Sequence, residues 1–289
     1  MLLRGVYSVQ TSIGQVDYLN CLPVYHALEE GLLSLNADLV KGTPTFLNKL
    51  FLQGDLDVTP ISSIEYARNM DYCLILPGLS ISAEGQVAST LFFSKLPVTE
   101  LEGRNVSLTE TSATSVVLLK VLFDHYYHVD VRFETLSPDL DHMMAWSDGA
   151  LLTGDDAMLA YQRVKKEHLP YHVTDLGEVW KEFTGEKMVY ALWVVRSSDS
   201  NDCSDKIAKI SNIVLESKSM GRNRMPAIIA EARKKTGLPL PVIEDYFAAI
   251  SYDFDESCRR ALLVYYDYAY KSGLIDERAK LHVWGEPVE

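Results

Sequence analysis

The sequence has no surplus of positive charge: 27 Lys and Arg stand against 40 Asp and Glu, for a net charge of −13. That balance sets aside a nucleic-acid binder, and it means that an anionic ligand must be held by local donors rather than by a general field. The short basic clusters Arg222/Arg224 and Arg233/Lys234/Lys235 read as solvated helix faces. Cysteine is scarce and scattered. Cys21, Cys73, Cys203 and Cys258 form no C-x-x-C pair, which argues against a zinc site or a disulfide framework and suits a reducing cytoplasm. No stretch approaches the ~18 uninterrupted apolar residues of a membrane span. Met1 to Gly5 lead into a polar segment, Ser8 to Gln15, with no apolar core of signal-peptide length. A Gly-rich nucleotide fingerprint is missing as well. These absences predict a cytoplasmic protein with no metal, no organic cofactor, and neither membrane nor nucleic acid as partner.

What is present is a globular chain of 289 residues, 47% hydrophobic and 23% charged, long enough for two lobes of ordinary domain size. Its most informative stretch is Thr111-Ser112-Ala113-Thr114-Ser115, followed by the apolar run Val116 to Phe123. The run predicts a buried helix, and the hydroxyl-rich residues are its start. A helix start offers unpaired N–H groups and the positive end of the macrodipole. With several hydroxyl donors added, it suits a carboxylate or a phosphate. N-capping is the simpler role, but it needs one hydroxyl only.

Taken in order, the chain alternates strands and helices. A strand or lead-in over Val6 to Val16 precedes Asp17-Tyr18-Leu19-Asn20-Cys21-Leu22-Pro23, where Pro23 suits a first helical turn and Asn20 sits in the strand-to-helix loop. Asn20 is therefore either a turn former or a ligand contact. A strand over Ala37 to Lys41, a helix from Thr43-Pro44 to Leu52, and a strand over Leu56 to Ile61 follow. Ser62 and Glu65 have capping-box spacing at a second hydroxyl-bearing helix start. Strands are expected at 72–76, 87–94 (with Ser89 inside), 105–109, 131–136, 149–153, 171–174 and 189–195. Gly154 opens a helix and permits close backbone approach; Asp155 is a first-turn acid or, less simply, a ligand residue. After a polar linker, 197–204, the chain turns helical near 205–219, 225–236, 242–250 and 255–272. Alternation of this kind predicts parallel α/β sheets, built twice, before and after residue 95. Two lobes with a cleft between them would bring the helix starts at 20–23, 62–65, 111–115 and 154–156 toward one small anion.

The motifs Asp17–Pro23, Gly54-Asp55-Leu56-Asp57-Val58, Ser62-Ser63-Ile64-Glu65-Tyr66, Gly85-Gln86-Val87-Ala88-Ser89, Thr111–Ser115, Gly154-Asp155 and Asp175-Leu176-Gly177-Glu178-Val179-Trp180 together resemble one family. It is that of the menaquinone-biosynthetic chorismate dehydratases of the futalosine route. The resemblance runs in order over about residues 12–196 and more weakly to about 275. It implies a two-lobed, periplasmic-binding-protein-like (type II) fold, with lobe 1 at 1–92 plus 195–289 and lobe 2 at 93–194. It implies loss of water from chorismate, a carbon–oxygen lyase reaction, without cofactor. By the same resemblance Asn20 is catalytic, and Ser62, Ser89, Thr111, Ser112, Thr114, Ser115, Gly154 and Asp155 bind substrate. No His or Lys occurs within the motifs, so the substrate's own enolpyruvyl carboxylate is the implied base, with Asp155 and Glu65 as the other candidates. A non-catalytic small-carboxylate binder and the related dihydroxynaphthoate synthase are the competing readings.

Overall fold

The computed structural model describes residues 11–34, 37–197 and 204–287. Val6 to Gln10 and most of the polar linker lie outside the described residues. The first strand, β1 (Thr11–Val16), runs through a short 3₁₀ turn (Leu19–Cys21) into α1 (Leu22–Glu29), with Pro23 in the first turn, where a helix has no use for its N–H. β2 (Ala37–Gly42) leads to α2 (Pro44–Gln53), capped by the Thr43 hydroxyl and stopped by Gly54 at φ +89. β3 (Val58–Ser62), α3 (Ser63–Arg68) and β4 (Cys73–Ala83) complete the first run.

The chain then crosses over. β5 (Thr90–Ser94), β6 (Asn105–Thr109), α4 (Ala113–Leu122), β7 (Arg132–Leu136), α5 (Leu140–Trp146), β8 (Gly149–Thr153), α6 (Gly154–Glu167), β9 (His172–Asp175) and α7 (Leu176–Thr184) build the second lobe. It returns through β10 (Met188–Arg196), followed by α8 (Ser204–Arg222), α9 (Met225–Thr236), α10 (Leu240–Ala249), β11 (Ile250–Ser251) and α11 (Glu256–Lys271). The first sheet has six strands in the order β11-β4-β10-β3-β1-β2, and the second has five, β7-β6-β8-β5-β9. Met188 to Val194, expected in the second lobe, thus hydrogen-bond within the first sheet.

Two differences from the sequence reading have physical reasons. The sheets are mixed rather than parallel: β10 runs antiparallel to β3 and β4, and β5 antiparallel to β8 and β9. These are the first strands reached after each crossing, and they enter their sheets from the opposite end. The strand expected at 87–94 begins only at Thr90, because Ala88 has φ +60 and cannot extend the ladder.

The buried aromatics fix the elements that matter for the cleft. Tyr25 on α1 stacks on Trp193 of β10 at 6.3 Å between centroids; its hydroxyl accepts from Trp193 Nε1 (2.9 Å) and donates to the Gly14 carbonyl (2.8 Å). A phenol and an indole buried with both polar ends paired bolt α1 to the sheet. On the other side α8 lies so close to α1 that a Cβ on Gly221 would fall 1.9 Å from the Pro23 carbonyl oxygen, so only glycine allows the contact. The C-terminal α11 packs its tyrosines against Trp180 of α7, with Tyr265 and Tyr268 edge-on to the indole at 5.9 and 5.8 Å. It therefore ties the first lobe to the second.

Candidate functional site

The ends of β1, β3, β6 and β8 face one another across the space between the sheets, and the helices after them begin there. A cavity of about 630 Å³, counting its open mouth, lies among these ends. Its polar lining comes from Tyr18 and Asn20 before α1, Ser62 before α3, Ser89 and Thr90 at the crossing, Ser112 and Ser115 at α4, Thr153 before α6 and Tyr190 on β10. Ile61, Ile81, Val87 and Pro60 supply an apolar wall. Among the described residues no charged side chain lines it.

At the start of α4, Ser112 is the N-cap and its hydroxyl accepts from the Ser115 N–H at 3.4 Å, a long bond, while donating to Ser115 Oγ at 3.0 Å. Ser115, whose hydroxyl accepts that bond, also lines the cavity. Ser62 makes no cap bond, and Glu65 pairs instead with Arg68 at 2.7 Å. The capping box expected there does not form, and the Ser62 side chain faces the cavity. Ser89 is held by its neighbours: the Asp175 carboxylate accepts from the Val87 and Ala88 N–H groups (3.0 and 2.6 Å) and also caps α7, and the Ser89 carbonyl accepts from the Gly154 N–H at 2.7 Å. Asn20 Oδ1 is shielded from solvent and has no hydrogen-bond partner among the described residues, while the buried hydroxyls of Tyr18 and Tyr190 lie beside those of Thr111 and Thr153, and of Thr90.

Of the nominated residues, Asn20, Ser62, Ser89, Ser112, Ser115 and Gly154 come together around the cavity. Thr111, Thr114 and Asp155 do not line it. The Thr111 hydroxyl bonds Thr109 Oγ1 at 2.8 Å. Thr114 Oγ1 accepts from the Ile64 N–H and lies 3.3 Å from Ser63 Oγ, so it joins the starts of α3 and α4 across the lobes. Asp155 Oδ1 accepts from the Leu19 N–H at 3.1 Å, and burial raises its carboxyl to about 6. Glu65 lies outside the cavity wall. Sequence reasoning passed over Tyr18, Thr90, Thr153 and Tyr190. Tyr18 stands two residues from Asn20 within a quoted motif and could have been found there; Tyr190 depends on which face of β10 meets the cleft, which no local pattern gives.

Two mixed α/β sheets, crossed twice by the chain and flanking a central cleft, define the periplasmic-binding-protein-like class. Solved structures agree on the fold. A protein from Archaeoglobus fulgidus superposes with a TM-score of 0.75 at 19% identity, covering 93% of this chain and 100% of that one. The alkanesulfonate-binding protein of Xanthomonas axonopodis pv. citri gives 0.70 at 15%, over 95% and 98%. A Candida albicans protein described as having the generic periplasmic binding protein fold gives 0.66 at 11%, over 97% and 99%. The chain belongs to the menaquinone biosynthesis family, whose model matches residues 11–271. It is similar to the chorismate dehydratase of Thermus thermophilus, at 28% identity over 86% of this chain and 92% of that protein. It is also similar to that of Campylobacter jejuni, at 30% over 62% and 64%. No helix among the described residues is long and apolar enough to cross a membrane.

Proposed function

We propose that this chain is a carbon–oxygen lyase that removes water from chorismate to give 3-[(1-carboxyvinyl)oxy]benzoate. The observation that carries this reading is the convergence of Asn20 and several hydroxyl-bearing helix starts on one uncharged cleft, in a chain aligned with a chorismate dehydratase over 92% of that protein's length.

Chorismate bears a ring carboxylate, an enolpyruvyl carboxylate and an allylic hydroxyl next to the ether-bearing carbon. Loss of that hydroxyl and the ring proton makes the ring aromatic, so the difficulty is the weakly acidic C–H bond. Negative charge spreads into the ring carboxylate as the proton leaves. Fixed dipoles around that carboxylate stabilise it without reorganising. The first-turn N–H groups of α4 with the Ser112 and Ser115 hydroxyls are suited to this, and Ser62 and Ser89 to the second carboxylate or the leaving hydroxyl. The apolar wall at Ile61, Ile81 and Val87 receives the ring.

No His, Lys or carboxylate side chain faces the cavity among the described residues. A base from the substrate is consistent with that: the enolpyruvyl carboxylate takes the ring proton, the C–H electrons become the new ring double bond, and the C–O pair leaves with the hydroxyl. The carboxylic acid so formed passes that proton to the departing oxygen, which leaves as water. Asn20, whose amide oxygen has no partner among the described residues, orients this exchange. A cytoplasmic setting fits the free, buried thiols of Cys21, Cys73 and Cys258. The test is incubation of the purified protein with chorismate, with the aromatic enol ether followed by absorbance and mass. Chorismate returned unchanged, though bound, would make the chain a binding module.

A further inference from the structure

The segment that carries Asn20 is anchored at several points, and one anchor comes from the opposite lobe. Within its own lobe, the Asp17 N–H donates to the Gly42 carbonyl at 3.0 Å, and Lys235 of α9 reaches the Asp17 carboxylate at 2.8 Å. The next residues turn to α6. The ring of Tyr18 lies against Gly154, where a Cβ would stand 3.2 Å from its edge atoms. Gly154 also has φ +64, so both its conformation and its lack of a side chain are needed. One residue further along both segments, the Leu19 N–H donates to Asp155 Oδ1 at 3.1 Å. Two consecutive residues of α6 thus meet two consecutive residues before Asn20.

We propose that Asp155 is a positioning residue, which clasps the Leu19 backbone across the cleft and so sets where the Asn20 amide stands. This rests on the reading of Asn20 given above. Asp155 is absent from the cavity wall, so it acts on the substrate only through the neighbouring residue. Leu19 opens the 3₁₀ turn, and its N–H is one of the donors that such a turn leaves without an internal acceptor. The carboxylate satisfies it from the lobe that also supplies the α4 start. Geometry between Asn20 and the anion donors is thereby fixed in one step, although they belong to different sheets. A displacement of about 1 Å is enough to lower a rate about a hundredfold when reacting groups must be aligned.

Two substitutions separate this role from that of a general base. Asp155→Asn keeps an acceptor oxygen of the same reach, while Asp155→Ala removes it. Expected in D155A is a fall in kcat with chorismate of about tenfold to a hundredfold, with KM changed much less. D155N should recover kcat to within about fivefold of wild type, since a neutral acceptor holds the same N–H less strongly. In substrate-free protein the Leu19 amide should keep its hydrogen-exchange protection in D155N and lose it in D155A. Should D155A fail to fold, Asp155→Ser, whose hydroxyl is too short to reach, takes its place. Equal collapse of kcat in D155N and D155A, with Leu19 still protected in D155N, would make Asp155 a base and overturn the proposal. Unchanged kcat in D155A would overturn it too. If the wild type left chorismate untouched, the reading of the activity would fall, and the clasp would stand or fall on the Leu19 exchange alone.

Discussion

Asn20 is the residue on which enzyme and binder differ most. Its side chain is the only amide in the cavity wall among the described residues, and its oxygen is shielded from water and unpartnered. Asn20→Asp keeps the shape and puts a negative charge beside a dianion, so kcat should fall steeply while chorismate still binds through the other helix starts. Steady-state kinetics with a separate binding titration check this; near-wild-type turnover by N20D would remove Asn20 from the mechanism. Asp155 gives a second, independent signature. Burial is the main cause that lifts its carboxyl from 3.8 to about 6; Asp156 and Asp17 push the same way, while the Leu19 N–H and Lys235 oppose it. The folded state therefore binds this proton more tightly than the unfolded chain. Its contribution to stability is greatest below the ordinary carboxylate range and is lost as the pH climbs through about 6. At ~1.4 kcal/mol per pH unit, the difference is on the order of 2–3 kcal/mol. Urea unfolding of D155N should lack this loss between pH 4 and 7, and a wild-type-like pH dependence in the variant would show that other groups carry it.

The helix starts divide into those that face the cavity and those that join the lobes, although their sequences look alike. In Thr111 to Ser115, four of five consecutive residues hold hydroxyls, with three different tasks. Ser112 and Ser115 face the cavity, Thr111 bonds within its own lobe, and Thr114 bridges to α3. Ser115→Ala should weaken use of chorismate by about 1–3 kcal/mol, read in kcat/KM, with little change in melting. Thr114→Val should do the reverse and cost about 1–3 kcal/mol of stability through the lost bonds to Ser63 and Ile64. If instead the two variants behaved alike in both assays, this division would be wrong. The sequence makes the element order, the Thr43 and Ser112 caps and the position of Asn20 legible, because all three depend on residues close together in the chain. It does not show which hydroxyl of a clustered run turns inward: that depends on the crossing of α3 and α4, set by contacts fifty residues apart. The same limit hid Tyr190, whereas the capping box expected at Ser62 failed for a local reason. The spacing of Ser62 and Glu65 permits the box, but Arg68 offers Glu65 a charged partner one turn away.

At the scale of the whole molecule, α11 acts as a strut. The Tyr265 hydroxyl donates to the Thr114 carbonyl (2.9 Å) and that of Tyr266 to the Ser63 carbonyl (2.7 Å), so one helix braces the first turns of both α4 and α3. The cleft they flank holds no charged side chain among the described residues, and the chain around it carries a net charge of −13. For an incoming dianion this means an uphill approach: the exterior repels it, and attraction begins only within reach of short-range dipoles. Encounter, rather than retention, is then the step most sensitive to the medium. As the Debye length shrinks from about 30 Å in 0.01 M salt to about 8 Å at physiological ionic strength, the repulsion is screened while the dipoles inside are not. kcat/KM for chorismate should therefore rise with added salt, opposite to an enzyme whose mouth is ringed with lysine or arginine, and a fall would point to cationic steering at the rim. The arrangement favours departure as well: with no fixed cation to hold it, the dianionic product leaves into a field that drives it outward.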